Sequence, residues 1–139
     1  MKLAQSLALL TGASFTILSA LADFHIVQGG SGSIGLEACP SDYYNCKCLA
    51  KGDRAARVML NDQPVDSLPA TFFYTKSGLC GVGQLNFYKQ GDGTWKFYED
   101  NGDGTLQGTC YPNTATTQCS KVLFFDQLVC YSSICKISS

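Results

Sequence analysis

Apolar and polar residues alternate along the stretch GQLNFYKQGDGTWKFYEDNGDGTLQG, Gly83 to Gly108, and the same four residues, Gly-Asp-Gly-Thr, break the alternation twice. A period of two marks a strand with one buried face. Asp-Gly and Asn-Gly supply the positive φ angles that tight hairpin turns need. The stretch therefore predicts a three-stranded meander. Leu85, Phe87, Trp95, Phe97, Leu106 and Cys110 would share its buried face. Asn86, Tyr88, Thr94, Lys96, Tyr98, Thr105, Gln107, Thr109 and Tyr111 would share the other, a polar surface carrying three tyrosines.

The rest of the chain reads much the same way. Short β-branched or aromatic runs bounded by Gly, Asn, Asp and Pro predict further strands near Phe24–Gln28, Arg57–Leu60, Ala70–Thr75, Lys121–Phe125 and Leu128–Tyr131. Asn61-Asp62-Gln63-Pro64 and the Pro69 region read as turns, Pro112 to Gln118 as a polar loop, and Gly30 to Gly35 as a Gly/Ser link. Helical spacing is weak: Pro40 to Leu49, with an extension towards Met59 interrupted by Gly52, is the best candidate. These elements predict a mainly β chain, a small disulfide-braced antiparallel sandwich or barrel with at most one short helix.

The first residues change the picture from a bare sheet to an exported one. Lys2 precedes a run from Leu3 to Leu21 that is apolar or small, and Ala20-Leu21-Ala22 has the small-x-small form of a signal-peptide cleavage site. Residues 1–22 are thus expected to be a signal peptide removed before Asp23, and residues 23–139 a single disulfide-rich domain. Thr11, Gly12, Ser14, Thr16 and Ser19 dilute the run below what a membrane anchor of roughly 20 apolar residues requires. The expectation is a secreted, extracellular protein without membrane insertion. Cleavage removes one lysine and leaves nine basic against eleven acidic side chains, a net charge of −2. That balance offers no electrostatic footprint for nucleic acid.

All eight cysteines, Cys39, Cys46, Cys48, Cys80, Cys110, Cys119, Cys130 and Cys135, follow the cleavage site. An even number behind a secretory leader reads as a set of disulfides, of undetermined pairing. Cys46-Lys47-Cys48 lacks zinc-site spacing, and no metal or cofactor is expected.

Several patterns resemble catalytic or ligand-binding motifs. Gly30-Ser31-Gly32-Ser33-Ile34-Gly35 is a literal GxGxxG, with Asp53 near the distance of a ribose-binding acid, but Cys39 and Pro40 follow where a helix should run. Counted from Glu99, the residues Asn101, Asp103, Gly104 and Leu106 fit a calcium loop, yet Cys110 stands where the bidentate Glu belongs. Turns explain both Gly-Asp-Gly-Thr copies. His25 is the one histidine, which excludes two-histidine catalysis and zinc proteases built on HExxH, and it reads as a strand residue near the mature start. Asp92, Glu99, Asp100 and Asp103 are numerous enough for carboxylate-pair hydrolysis, but exposed turns do not raise a carboxyl pKa as a general acid requires. Lys47, Lys51, Arg54 and Arg57 with Asp53 form a net +3 run, read as a solvated face. The loop Asn113–Gln118 offers hydroxyls for O-linked sugar, whereas no Asn-x-Ser/Thr acceptor occurs.

The leader, the 117 residues after it, the eight cysteines, the tyrosine-bearing strands and the tight Tyr43-Tyr44-Asn45-Cys46-Lys47-Cys48 cluster together resemble the small secreted cysteine-rich proteins of filamentous fungi. The resemblance lies in composition and layout across the mature chain. It implies an effector-like protein that acts outside the producing cell, without catalysis, on an extracellular host protein or carbohydrate. Tyr88, Lys96, Tyr98 and Tyr111 are the binding residues expected, since tyrosine gives large contact area at small entropic cost. The alternatives are a secreted antimicrobial toxin or protease inhibitor, and a small secreted hydrolase using carboxylates.

Overall fold

The computed structural model describes residues 22–29, 35–41, 55–119 and 122–135. Within them ten strands run β1 Phe24–Gly29, β2 Leu36–Pro40, β3 Ala56–Leu60, β4 Gln63–Pro64, β5 Phe72–Thr75, β6 Leu85–Lys89, β7 Trp95–Glu99, β8 Leu106–Pro112, β9 Thr116–Cys119 and β10 Val122–Ser132. Eight of them, in the order β1-β2-β3-β5-β6-β7-β8-β10, close into an antiparallel barrel through the pairing of β10 with β1. The architecture is thus the barrel of the two expected. β4 adds a short hairpin to β3, and β9 continues the line of β8 along β10. The described residues contain no α-helix, and Leu79–Gly81 forms a 3-10 turn. Most of the candidate helix from Pro40 lies outside the described residues, and the Arg57–Met59 part of its extension is strand β3.

An eight-stranded barrel is just wide enough for side chains to fill it. Alternate residues point inward, and Phe24, Phe73, Phe87, Trp95 and Phe97 reach the middle, each at most 1% exposed. Phe73 stacks on Phe87 at 4.5 Å and Phe87 on Phe97 at 4.7 Å, while Phe24 meets Phe97 edge-on at 5.4 Å. Such ring pairs add about 0.5–1.5 kcal/mol each beyond burial.

Sulfur ties the wall together. Cys110 and Cys130 face each other across β8 and β10 and are bonded, and Cys80 in the 3-10 turn is bonded to Cys135 after β10. Cys39 and Cys119 each belong to a disulfide as well, and Cys46 and Cys48 lie outside the described residues. These bonds fit an oxidising compartment. No described helix is long and apolar enough to cross a membrane.

Five expectations need correction. Leu36–Pro40, where no strand was expected between the glycine link ending at Gly35 and the candidate helix starting at Pro40, is strand β2. The polar loop before Gln118 ends in strand β9, and the two strands expected near the C-terminus are one 11-residue strand, β10. Gln63-Pro64, read as turn, forms β4, because Asn61 and Asp62 take up the reversal at φ 53° and 62°. Leu106, placed on the buried face, is 44% exposed. The register between β7 and β8 slips between Phe97 and Tyr98, so Leu106 pairs with Tyr98 and leaves the inward row.

Candidate functional site

The turns of the meander set its outer face. In the first, Gln90 N–H donates to Thr94 O at 2.7 Å, and the Asp92 carboxylate accepts from Thr94 N at 3.0 Å and from Thr94 Oγ1 at 2.7 Å. In the second, Gly102 N–H donates to Glu99 O and Asp103 accepts from Thr105 N at 3.0 Å. The threonine donors hold the Asp92 and Asp103 carboxyls below the ordinary 3.8. A general acid needs the opposite shift, so neither supports hydrolysis. Among the described residues no group of three or more His, Cys, Asp and Glu side chains is placed to hold a metal ion. Of the glycine motif only Gly35 is described, and Asp53 with the basic run through Arg54 lies outside.

Strand pairing brings three of the four expected binding residues together. Tyr88 on β6 stands directly opposite Lys96 on β7, and the Tyr88 ring lies edge-on to Tyr98 at 5.9 Å. Tyr111 stands apart, on β8 opposite Val129, with its ring 5.7 Å from Tyr131. Tyr88 and Tyr111 are 42% and 45% exposed.

Phe72, Tyr74 and Tyr131, which were not among the expected binding residues, extend this surface. Phe72 sits opposite Tyr88 with rings 5.1 Å apart, and Thr109 links Lys96 to Tyr131. The result is one cross-strand row, Phe72, Tyr88, Lys96, Thr109 and Tyr131, over five adjacent strands, roughly 20 Å of wall at about 4.8 Å per strand. The signal was present in Phe72-Phe73-Tyr74-Thr75: with Phe73 and Thr75 fully buried, a period of two sends Phe72 and Tyr74 outward. Beside the row, Gln84 donates to Asn86 Oδ1 at 2.9 Å and Asn86 donates to Asp100 Oδ1 at 3.0 Å. The Tyr74 hydroxyl donates to Asp62 Oδ1 at 2.9 Å, and that bond raises the phenol above its ordinary 10.0. The rings are mutually tilted, by 45° for Phe72–Tyr88 and 60° for Tyr88–Tyr98, so they form no flat platform.

A second cluster sits at the seam between β1 and β10. His25 is a strand residue, as expected, but it is tied in place: its Nδ1 lies 2.8 Å from Oδ2 of Asp126, which is 2% exposed. Asn113 Nδ2 donates to the same oxygen at 2.7 Å, while Asp126 Oδ1 is buried without a hydrogen-bond partner. Nearby, Asp23 accepts from Ser132 Oγ and Cys135 N, and its own N–H donates to Cys130 O at 2.8 Å. Neither acid stands out in the sequence, because burial of a lone carboxylate is decided by strands a hundred residues away.

Comparison with protein-family models, with curated proteins and with solved structures found no match.

Proposed function

We propose that this chain is a secreted, non-enzymatic, effector-like binding protein that recognises an extracellular host protein or wall polysaccharide through the outer face of β5, β6, β7, β8 and β10. The observation that carries the reading is the row Phe72–Tyr88–Lys96–Thr109–Tyr131, displayed on a disulfide-braced wall whose other face is a packed aromatic core. Aromatic anchors held by rigid strands lose little entropy on binding, and a single lysine in their midst gives the contact a polar register point. The leader and the disulfides support an encounter outside the cell.

The test is a pull-down with oxidised protein starting at Asp23, run against host extracellular fluid and against solubilised wall polysaccharide. Replacing Tyr88 and Tyr111 together with Ala is expected to weaken capture at least tenfold while moving the melting temperature by no more than a few degrees, since both side chains lie on the outer face, outside the packed core. Capture that survives the double replacement, or a loss of capture that only tracks a loss of stability, defeats the reading.

A further inference from the structure

Cleavage before Asp23 would do more than free the domain, because the new chain begins Asp23-Phe24-His25 with a free α-amine on Asp23. A histidine third from a free α-amine offers four nitrogens that can lie in one plane around one ion. They are the amine, the amides of residues two and three, and imidazole Nδ1. Square-planar nitrogen donors select Cu(II) or Ni(II) rather than tetrahedral zinc. No proline occupies either position, so both amides are able to give up their protons on binding.

The barrel already uses these groups. Asp23 N–H donates to Cys130 O at 2.8 Å, and His25 Nδ1 lies 2.8 Å from Asp126 Oδ2. Phe24 and His25 run between β2 and β10, Phe24 opposite Pro40 and Cys130, His25 opposite Cys39 and Val129. The Phe24 ring is 0% exposed and packs on Phe87 and Phe97. Four nitrogens cannot wrap one ion while the same tripeptide is extended between two strands. Barrel closure and chelation therefore exclude each other.

We infer that processing before Asp23 creates a Cu(II)- or Ni(II)-binding tripeptide that the closed barrel holds shut, and that capture of the ion requires the first residues of β1 to leave the seam. Asp126 is the latch: departure of His25 would leave its buried carboxylate with Asn113 alone, one oxygen being already unpartnered. An ion that binds only the opened form pulls the equilibrium towards it, in proportion to free ion over its dissociation constant. The inference rests on the cleavage position and is independent of the aromatic outer face.

The experiment compares two oxidised proteins, one starting at Asp23 and one with a single extra glycine before it, each titrated with Cu(II) alone. The glycine moves His25 to fourth place and leaves the domain unchanged. For the Asp23 form the expected results are a visible absorption band of square-planar nitrogen-bound copper that grows slowly, and a melting temperature that falls as copper rises. At copper a hundred times its dissociation constant the unfolding equilibrium should rise about a hundredfold. Asp126→Asn should speed copper uptake, and His25→Gln should abolish the band. Equal responses from the two starts would overturn the proposal, as would immediate copper binding with no loss of stability. N-terminal sequencing of the secreted protein that finds another first residue overturns it as well, and leaves the outer-face reading untouched.

Discussion

Gly108 carries no side chain because there is no room for one. A Cβ built there would lie 2.7 Å from both Phe97 Cζ and Ser132 Cβ, and against the Tyr131 carbonyl oxygen. Gly108→Ala is expected to destabilise the barrel by about 1–3 kcal/mol through overpacking, read as a lower urea midpoint at unchanged slope. A second residue, Glu37, sets part of the pH response. Burial pushes its carboxyl above the ordinary 4.5, and Arg57, 3.2 Å away, pulls it back by less. The folded state therefore holds that proton more tightly than the unfolded chain does. The contribution is present in full below 4.5 and is lost as pH rises through the higher folded value. Glu37→Gln should remove this falling limb from a plot of urea midpoint against pH, and an unaltered limb would assign it elsewhere. At this scale the sequence was legible where chemistry is local: Asp92 and Asp103 read as turn residues because each bonds its own neighbour two positions on. Glu37 and Asp126 were not, since their settings come from other strands.

Elements were legible where one face is buried and the other wet. β6 and β7 alternate cleanly on the two sides of the first Gly-Asp-Gly-Thr turn, as the meander reading expects. β2 fails that test: in Leu36-Glu37-Ala38-Cys39-Pro40 only Glu37 escapes full burial, so no period of two survives, and the closing proline argues against a strand. β9, Thr-Thr-Gln-Cys, is a polar edge strand that composition cannot tell from a loop. The tyrosine face was found in its meander part and missed where β5 and β10 extend it, because neighbours in space are not neighbours in sequence. Disulfides act at this scale too. Cys110–Cys130 clamps β8 to β10 across a chain separation of 20 residues. Replacing both with Ala is expected to lower stability by about 2–5 kcal/mol in a guanidinium melt. If the outer tyrosine face is the contact proposed above, capture in the pull-down should then persist at temperatures where the variant stays folded, which separates bracing from contact.

For the whole molecule, the mainly β class was evident and the choice between sandwich and barrel was not. Closure depends on β10 lying beside β1, and nothing within either strand states that they meet. Phe24 and Cys130, opposite each other at the seam, stand at the two ends of the domain. Every other neighbouring pair in the ring is made by strands close in sequence: β1 with β2, β5 with β6, β6 with β7. A chain emerging from the ribosome can thus assemble most of its wall early, but it waits for its last strand before the ring shuts. Until then it is an open sheet with two unsatisfied borders and a row of bare phenylalanines, the form most apt to stick to its own kind. The producing cell accordingly has reason to keep the nascent chain extended until synthesis ends, and a molecule clipped just short of Leu128 would be not a weaker barrel but a seed for aggregates.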